Sequence, residues 1–282
     1  MSRPVRIEFP GAVYHITSRS NVGQLVFTCD DDRKMFLSAL GMVASRFGWL
    51  IHGYVLMDDH YHVAVETPEA NLSKGMRQLN GVYTQYFNRT YQMIGPLFHG
   101  RFKGILLEKD TYLLEVCRYI VLNPVGSGKV KSADKYRWSS FRSTVGQVKT
   151  PDWLFTEWIL SSFGKSTAAS QKKYSQYVKQ GVGDTSPLTS KSQQVLLGSP
   201  EFLKKMQPLL DNNLLAKKKP RRATRRRSLK RIFSNLDGQP RSYRNEQICR
   251  AHIDYAYTLA EIGDHLGLHY TTVSKVVNSE KS

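Results

Sequence analysis

The sequence predicts an α+β protein: a ferredoxin-like antiparallel sheet with helices, followed by a C-terminal all-α helix-turn-helix domain. Three observations lead there. Alternating apolar runs and amphipathic stretches follow one another in the order β-α-β-β-α-β-α; ten of the fifteen residues from Lys217 to Arg231 are basic; and two short amphipathic segments with helix-capping chemistry lie near the C-terminus.

The run VYHITSR, Val13 to Arg19, alternates and is expected as the first strand. DDDRKMFLSALGMVASRFG opens on acidic residues, which favour a helix N-terminus, sets Met35, Phe36, Leu40 and Val43 at helical spacing, and stops at Gly48. WLIHGYVLM (49–57) and YHVAVET (61–67) read as a hairpin turned at Asp58 and Asp59. In NLSKGMRQLNGVYTQYFNRT, Leu72, Met76, Leu79, Tyr83 and Tyr86 share a helix face, with Asn71 as the expected cap. RFKGILLE (101–108) is the fourth expected strand. A helix follows from about Asp110 to Leu122, expected to end at Asn123 and Pro124 because proline disfavours helical backbone before it.

The domain division expected is 1–142 for the sheet domain, 143–216 for a helical connector without chemistry of its own, 217–240 for a basic arm and 241–282 for the helix-turn-helix. The arm repels itself and is expected to order on a phosphate backbone, with Arg221, Arg222, Arg225, Arg226 and Arg227 as phosphate contacts. In YTLAEIGDHLGLHYTTVSKVV, Thr258 and Glu261 have capping-box spacing, Leu259, Ile262 and Leu266 form a stripe, and Gly267 suits a tight turn. The second helix turns Val273 and Val276 or Val277 inward, leaving Tyr270, Thr271, Thr272, Ser274 and Lys275 for a DNA groove.

Composition narrows the function classes. A net charge of +18 over 282 residues concentrates polyanions and makes nucleic acid the first partner to consider. No apolar run approaches the roughly 20 residues of a membrane span, and the N-terminus lacks signal-peptide character. Cys29, Cys117 and Cys249 are far apart and form no CxxC, so a reducing cytoplasm is the expected setting.

The stretch MDDHYHVAVE carries the chemistry. His60 and His62 project from one face of a strand, and Tyr61 and Val63 from the other. Paired imidazoles suit a divalent cation, and equally suit two half-buried sheet residues bonded to neighbours. A cation held by two histidines needs a further ligand. In TYLLEVCRYIVLNPV, Tyr119 and Asn123 lie four apart on one helix face, offering a nucleophilic hydroxyl and an amide oxygen. Tyr112 shares roughly that face but has Val116 where a ligand would be useful; Tyr83 and Tyr86 read as packing residues.

YHITSR, MDDHYHVAVE, GPLFHGRFKGILLEKDTYLLEVCRYIVLNPV and YRWSS, in that order, resemble the single-tyrosine HUH transposase (endonuclease) domain, in the branch of REP-associated tyrosine transposases. The resemblance covers about Val5 to Arg142. It implies that His60 and His62 bind a catalytic Mg²⁺ or Mn²⁺, that Asn123 completes the shell where related branches use glutamine, and that Tyr119 is the nucleophile. It further implies cleavage and joining of single-stranded or hairpin repeat DNA through a 5′-phosphotyrosine. Arg101 and Lys103, on the strand leading to the tyrosine helix, are candidate phosphate contacts. The DD before the motif departs from its usual small or polar turn. The C-terminal segment resembles the DNA-binding helices of the replication initiator DnaA. Two other classes stay open: a non-catalytic DNA-binding regulator retaining an HUH scaffold, and an RNA-binding sheet domain. The latter lacks the aromatic-rich strand pattern used for stacking.

Overall fold

The computed structural model describes residues 7–21, 23–188, 195–218, 227–236, 238–255 and 257–279. Its contacts divide the chain into two compact units, Met1–Leu215 and Ala216–Ser282.

The first unit is built on strands β1 (Ala12–Arg19), β2 (Leu50–Leu56), β3 (His60–Thr67) and β4 (Lys103–Leu107), with helices α1 (Asp30–Phe47), α2 (Leu72–Thr90) and α3 (Lys109–Gly126). The strands lie in the order β2-β3-β1-β4, and each neighbouring pair runs antiparallel, as the βαββαβ order requires. Short helices α4 (Phe141–Thr144) and α5 (Glu157–Ser161) and the longer α6 (Thr167–Gln180) follow. A fifth strand, β5 (Leu196–Leu197), pairs in parallel with β4, and α7 (Pro200–Lys218) comes after it. The sheet is therefore mixed rather than purely antiparallel. Two residues are too short a run for any periodicity to announce.

Alternation along the strands gives the sheet two different faces. Tyr14 and Ile16 of β1, with Tyr61, Val63 and Val65 of β3, pack under α1 and α2 against Phe36, Leu40, Leu79 and Tyr83. Val13, Ala64 and Leu107 pack on the opposite face against Leu113, Val116 and Ile120 of α3. Both outer borders are engaged. Ile51 and Val55 of β2 form bridges to Leu154 and Ser139, and on β4 the N–H groups of Leu106 and Glu108 donate to the carbonyls of Val195 and Leu197 at 2.8 Å.

Two expectations need correction. Helix α3 does not stop at Asn123 and Pro124 but runs to Gly126. Proline costs a helix its N–H bond and crowds the preceding turn, yet here it lies in the last turn, where its carbonyl accepts from Lys129 N–H at 2.9 Å as the chain folds back. Asn71 does sit at the N-cap of α2, but its side chain makes no cap: Oδ1 accepts from Trp49 Nε1 at 2.7 Å, and Nδ2 donates to the Phe47 carbonyl at 2.9 Å. Gly48 ends α1 in the left-handed region, at φ 66°, as its position predicted.

The second unit contains α8 (Leu229–Ile232), α9 (Arg241–Ile253), α10 (Leu259–Leu266) and α11 (Tyr270–Ser279). Thr258 and Glu261 form the capping box, and Gly267 ends α10 at φ 65°. Phe233, Ile248, Cys249, Ile262, Val273 and Val277 build a small core, so Val277 is the inward valine and Val276 is partly covered. Among the described residues, no helix is long and apolar enough to cross a membrane.

Candidate active site

The face of the sheet under α3 turns polar at one end. His60 and His62 of β3 stand opposite Arg19 and Thr17 of β1, and Thr17 stands opposite Lys103 of β4. The His60 and His62 rings lie 5.0 Å apart at 89° to one another. Above them α3 lowers Tyr119, whose ring is 5.8 Å from that of His62 in an edge-on arrangement. One turn on, the Asn123 amide lies 3.4 Å from His62 Nε2. This proximity exists because α3 continues through Pro124 and so keeps Tyr119 and Asn123 on one face. The four residues the sequence singled out for chemistry thus converge on one cleft of about 680 Å³, together with Arg19, Arg101 and Lys103.

Three groups that the sequence reading did not assign fix the imidazoles. Asp59 Oδ1 lies 2.6 Å from His60 Nδ1, and Asp59 is within 3.5 Å of Arg19. Burial pushes the Asp59 carboxyl up, but the hydrogen bond and charge of His60, helped by Arg19, outweigh it and hold the group below the usual carboxylate range. On the other ring, His62 Nδ1 is 2.9 Å from both His15 Nε2 and Thr17 Oγ1. His15 is fully buried, stacks on His62 at 5.0 Å and, through desolvation, has its pKa pushed down to about 4. Burial, then the neighbouring His15 and His60, hold His62 well below the ordinary imidazole range as well. Each Nδ1 is thereby occupied, which turns the Nε2 side of both rings away from those partners, that of His62 toward the Asn123 amide, as metal-binding histidines are commonly oriented. The missed signals were present: His15 shares the strand parity of Thr17, and Asp59 belongs to the atypical DD turn. The role of His15 could not be interpreted without knowing that β1 pairs with β3.

Among the described residues, no cluster of three or more His, Cys, Asp or Glu side chains is arranged to hold a metal ion. The donor set is two imidazoles with an amide, which suits a divalent cation that keeps water or substrate oxygens in its remaining positions. Asp58, the other turn carboxylate, is occupied elsewhere: it pairs with Arg33 at 2.7 Å and with Lys129 at 2.5 Å, tying the turn to α1 and to the segment after α3.

The remaining candidates are dispersed. Arg101 and Lys103 are exposed along the cleft. Tyr112 packs against the core under α3, while Tyr83 is buried and donates to the Val26 carbonyl at 2.6 Å, as a packing residue should. In the second unit Tyr270, Thr271 and Lys275 are exposed on α11, with Thr272 half-buried. Arg227 is exposed; Arg221, Arg222, Arg225 and Arg226 lie outside the described residues.

No curated protein matches the chain. A solved structure of a REP-associated tyrosine transposase bound to a REP hairpin is similar at 20% identity and a TM-score of 0.47, covering 54% of this chain and 89% of that one. The family model of IS200-like transposases matches residues 9–123, a span that takes in β1 to β4 and α3 as far as Asn123. The segment that carries the paired histidines and the tyrosine helix is thus the part of the chain that is similar to IS200-like transposases.

Proposed function

We propose that the protein is a metal-dependent, single-strand-specific DNA endonuclease and strand transferase. The observation that carries this reading is the convergence of Tyr119, His60, His62 and Asn123 on one basic cleft. His60 and His62, with Asn123, would hold Mg²⁺ or Mn²⁺, the ions the sequence resemblance implies. When bound, the cation neutralises charge that develops on the phosphoryl oxygens. Tyr119 Oη forms a bond to phosphorus while the bond from phosphorus to the 3′ oxygen breaks. The phenol gives up its proton, and the departing oxygen takes one to become a 3′-OH. The product is a 5′-phosphotyrosine, which a second 3′-OH reverses by the same chemistry, joining strands. Arg101 and Lys103 hold flanking phosphates, and the substrate is hairpin repeat DNA with a single-stranded foot, where splayed bases are accessible. In this reading residues 1–142 are the nuclease domain and 143–216 the connector. The arm 217–240 tracks phosphates, and Tyr270, Thr271, Thr272 and Lys275 of 241–282 contact duplex DNA.

The test is incubation of the protein with labelled hairpin oligonucleotides from the repeats flanking its own gene, with Mn²⁺ or Mg²⁺, resolved on a denaturing gel. A covalent protein–DNA band that needs metal and Tyr119 supports the nuclease. If no such band forms on any of these DNAs while duplex fragments bind tightly, the protein is a DNA-binding regulator.

A further inference from the structure

Tyr119 and Asn123 border a second cleft, between α3 and the segment 181–187, with a volume of about 630 Å³. This lies in the range of small-molecule pockets. Its chemistry is opposite to that of the histidine cleft. The histidine cleft presents three cations, Arg19, Arg101 and Lys103, with Asp59 held against His60 and Arg19. The second cleft presents one cation, Arg118, between two carboxylates, Glu115 and Asp184. A phosphate chain fits the first and is repelled by the second.

Arg118 is held flat. Asp184 pairs with its guanidinium at 3.0 Å, and the guanidinium lies over the Tyr177 ring, 4.4 Å from the centroid. Against Gly181 the fit is so close that a Cβ there would come within 2.7 Å of Arg118 Cδ and Nε. A planar guanidinium fixed in this way is a stacking surface for a nucleobase, and carboxylates accept hydrogen bonds from exocyclic amino groups.

We propose that the cleft between α3 and residues 181–187 is a base-binding subsite for single-stranded nucleotides adjoining the phosphodiester that Tyr119 attacks, with preference for bases bearing an exocyclic amino group. The substrate strand then crosses α3 at Tyr119, its phosphates in the histidine cleft and one or two neighbouring bases against Arg118. Residues 181–187 lie beyond the segment matched by the family model, so the sequence preference belongs to this chain's own connector. The inference rests on the nuclease reading of the same tyrosine.

The experiment is an abasic and base-substitution scan along the strand flanking the cleaved bond, read as the initial rate of covalent adduct formation by the full-length protein. In the wild type, an abasic site at one or two adjoining positions is expected to slow the reaction about tenfold or more, the worth of one stacked base. Thymine at those positions is expected to react about tenfold more slowly than cytosine or adenine. Both ratios should shrink in Arg118→Ala and in Gly181→Ala, whose added Cβ displaces the Arg118 side chain. Equal rates for every base and abasic site beside the bond in the wild type would overturn the subsite, and so would ratios that persist in both variants. A wild type that forms no adduct on any DNA would instead remove the nuclease reading beneath it.

Discussion

The two faces of the sheet make an instructive pair because the same strand supplies both. On β3, Tyr61, Val63 and Val65 point into the core beneath α1 and α2, while His60 and His62, the intervening residues, point into the cleft beneath α3. The first face is closed by aromatic packing: Phe36 lies 4.5 Å from Tyr61 and 5.2 Å from Tyr83, ring to ring. The second face is apolar only where α3 covers it and becomes imidazole, hydroxyl and ammonium beyond. Residue parity along one strand thus separates what stabilises the protein from what it can do chemically.

The separation can be broken deliberately. Tyr119→Phe removes the hydroxyl proposed as the nucleophile without removing the ring, so the folded protein should persist while adduct formation falls on the order of 10⁴-fold or more. A Phe variant that still forms adducts would move the nucleophile to another tyrosine. On the packed face, Leu79→Ala empties a fully buried position and should cost about 2–5 kcal/mol in urea unfolding, leaving metal affinity of the folded fraction intact. Asp59→Asn keeps the size of the residue that orients His60 but loses its charge, and metal affinity followed by calorimetry should drop about 10- to 100-fold. Unchanged affinity would show that Asp59 has no hold on the ring. Lys129→Ala breaks a half-exposed ion pair with Asp58 and should cost only about 1 kcal/mol or less in the same unfolding measurement.

The smallest expected effect concerns acid and uses the far end of the chemical face. His52 is buried with Nε2 2.9 Å from Glu66 Oε2, and Lys109 reaches the same carboxylate at 2.8 Å, beneath Trp158 and Phe155. Burial, against the pull of Glu66, holds His52 below its ordinary value of 6.5. The His52 hydrogen bond, with Lys109, holds Glu66 below 4.5 despite its partial burial. The unfolded chain therefore takes up the His52 proton near pH 6.5 while the folded protein still refuses it. Stability is full above that pH and declines as acid is added, with Glu66 adding its own loss below 4.5. His52→Gln should remove part of the decline in urea midpoint between about pH 7.5 and 5.5; identical declines in variant and wild type would assign the effect to other groups.

What was legible in the sequence follows from how local each feature is. Alternation marked β1 to β3, the DD turn marked the hairpin, and i,i+4 spacing marked Tyr119 with Asn123, all within a few residues of one another. The helix stop expected at Asn123 failed because proline's penalty depends on whether a turn follows it, and here the chain folds back to use the Pro124 carbonyl. Asn71 has cap chemistry, but a tryptophan indole and the Phe47 carbonyl compete for its amide, and both reach it only through tertiary folding. His15 is the clearest case. Its role exists only in the pairing of β1 with β3, which no single stretch of sequence displays.

The engaged borders of the sheet carry a further consequence. A strand with unpaired N–H and C=O groups along one side is a template on which another chain can add itself. Here the β2 border is met by residues 139 and 154 and the β4 border by β5. The segments that follow α3 thus cover both borders, and removing them would open the sheet to strand-to-strand aggregation before it disturbed the histidine cleft.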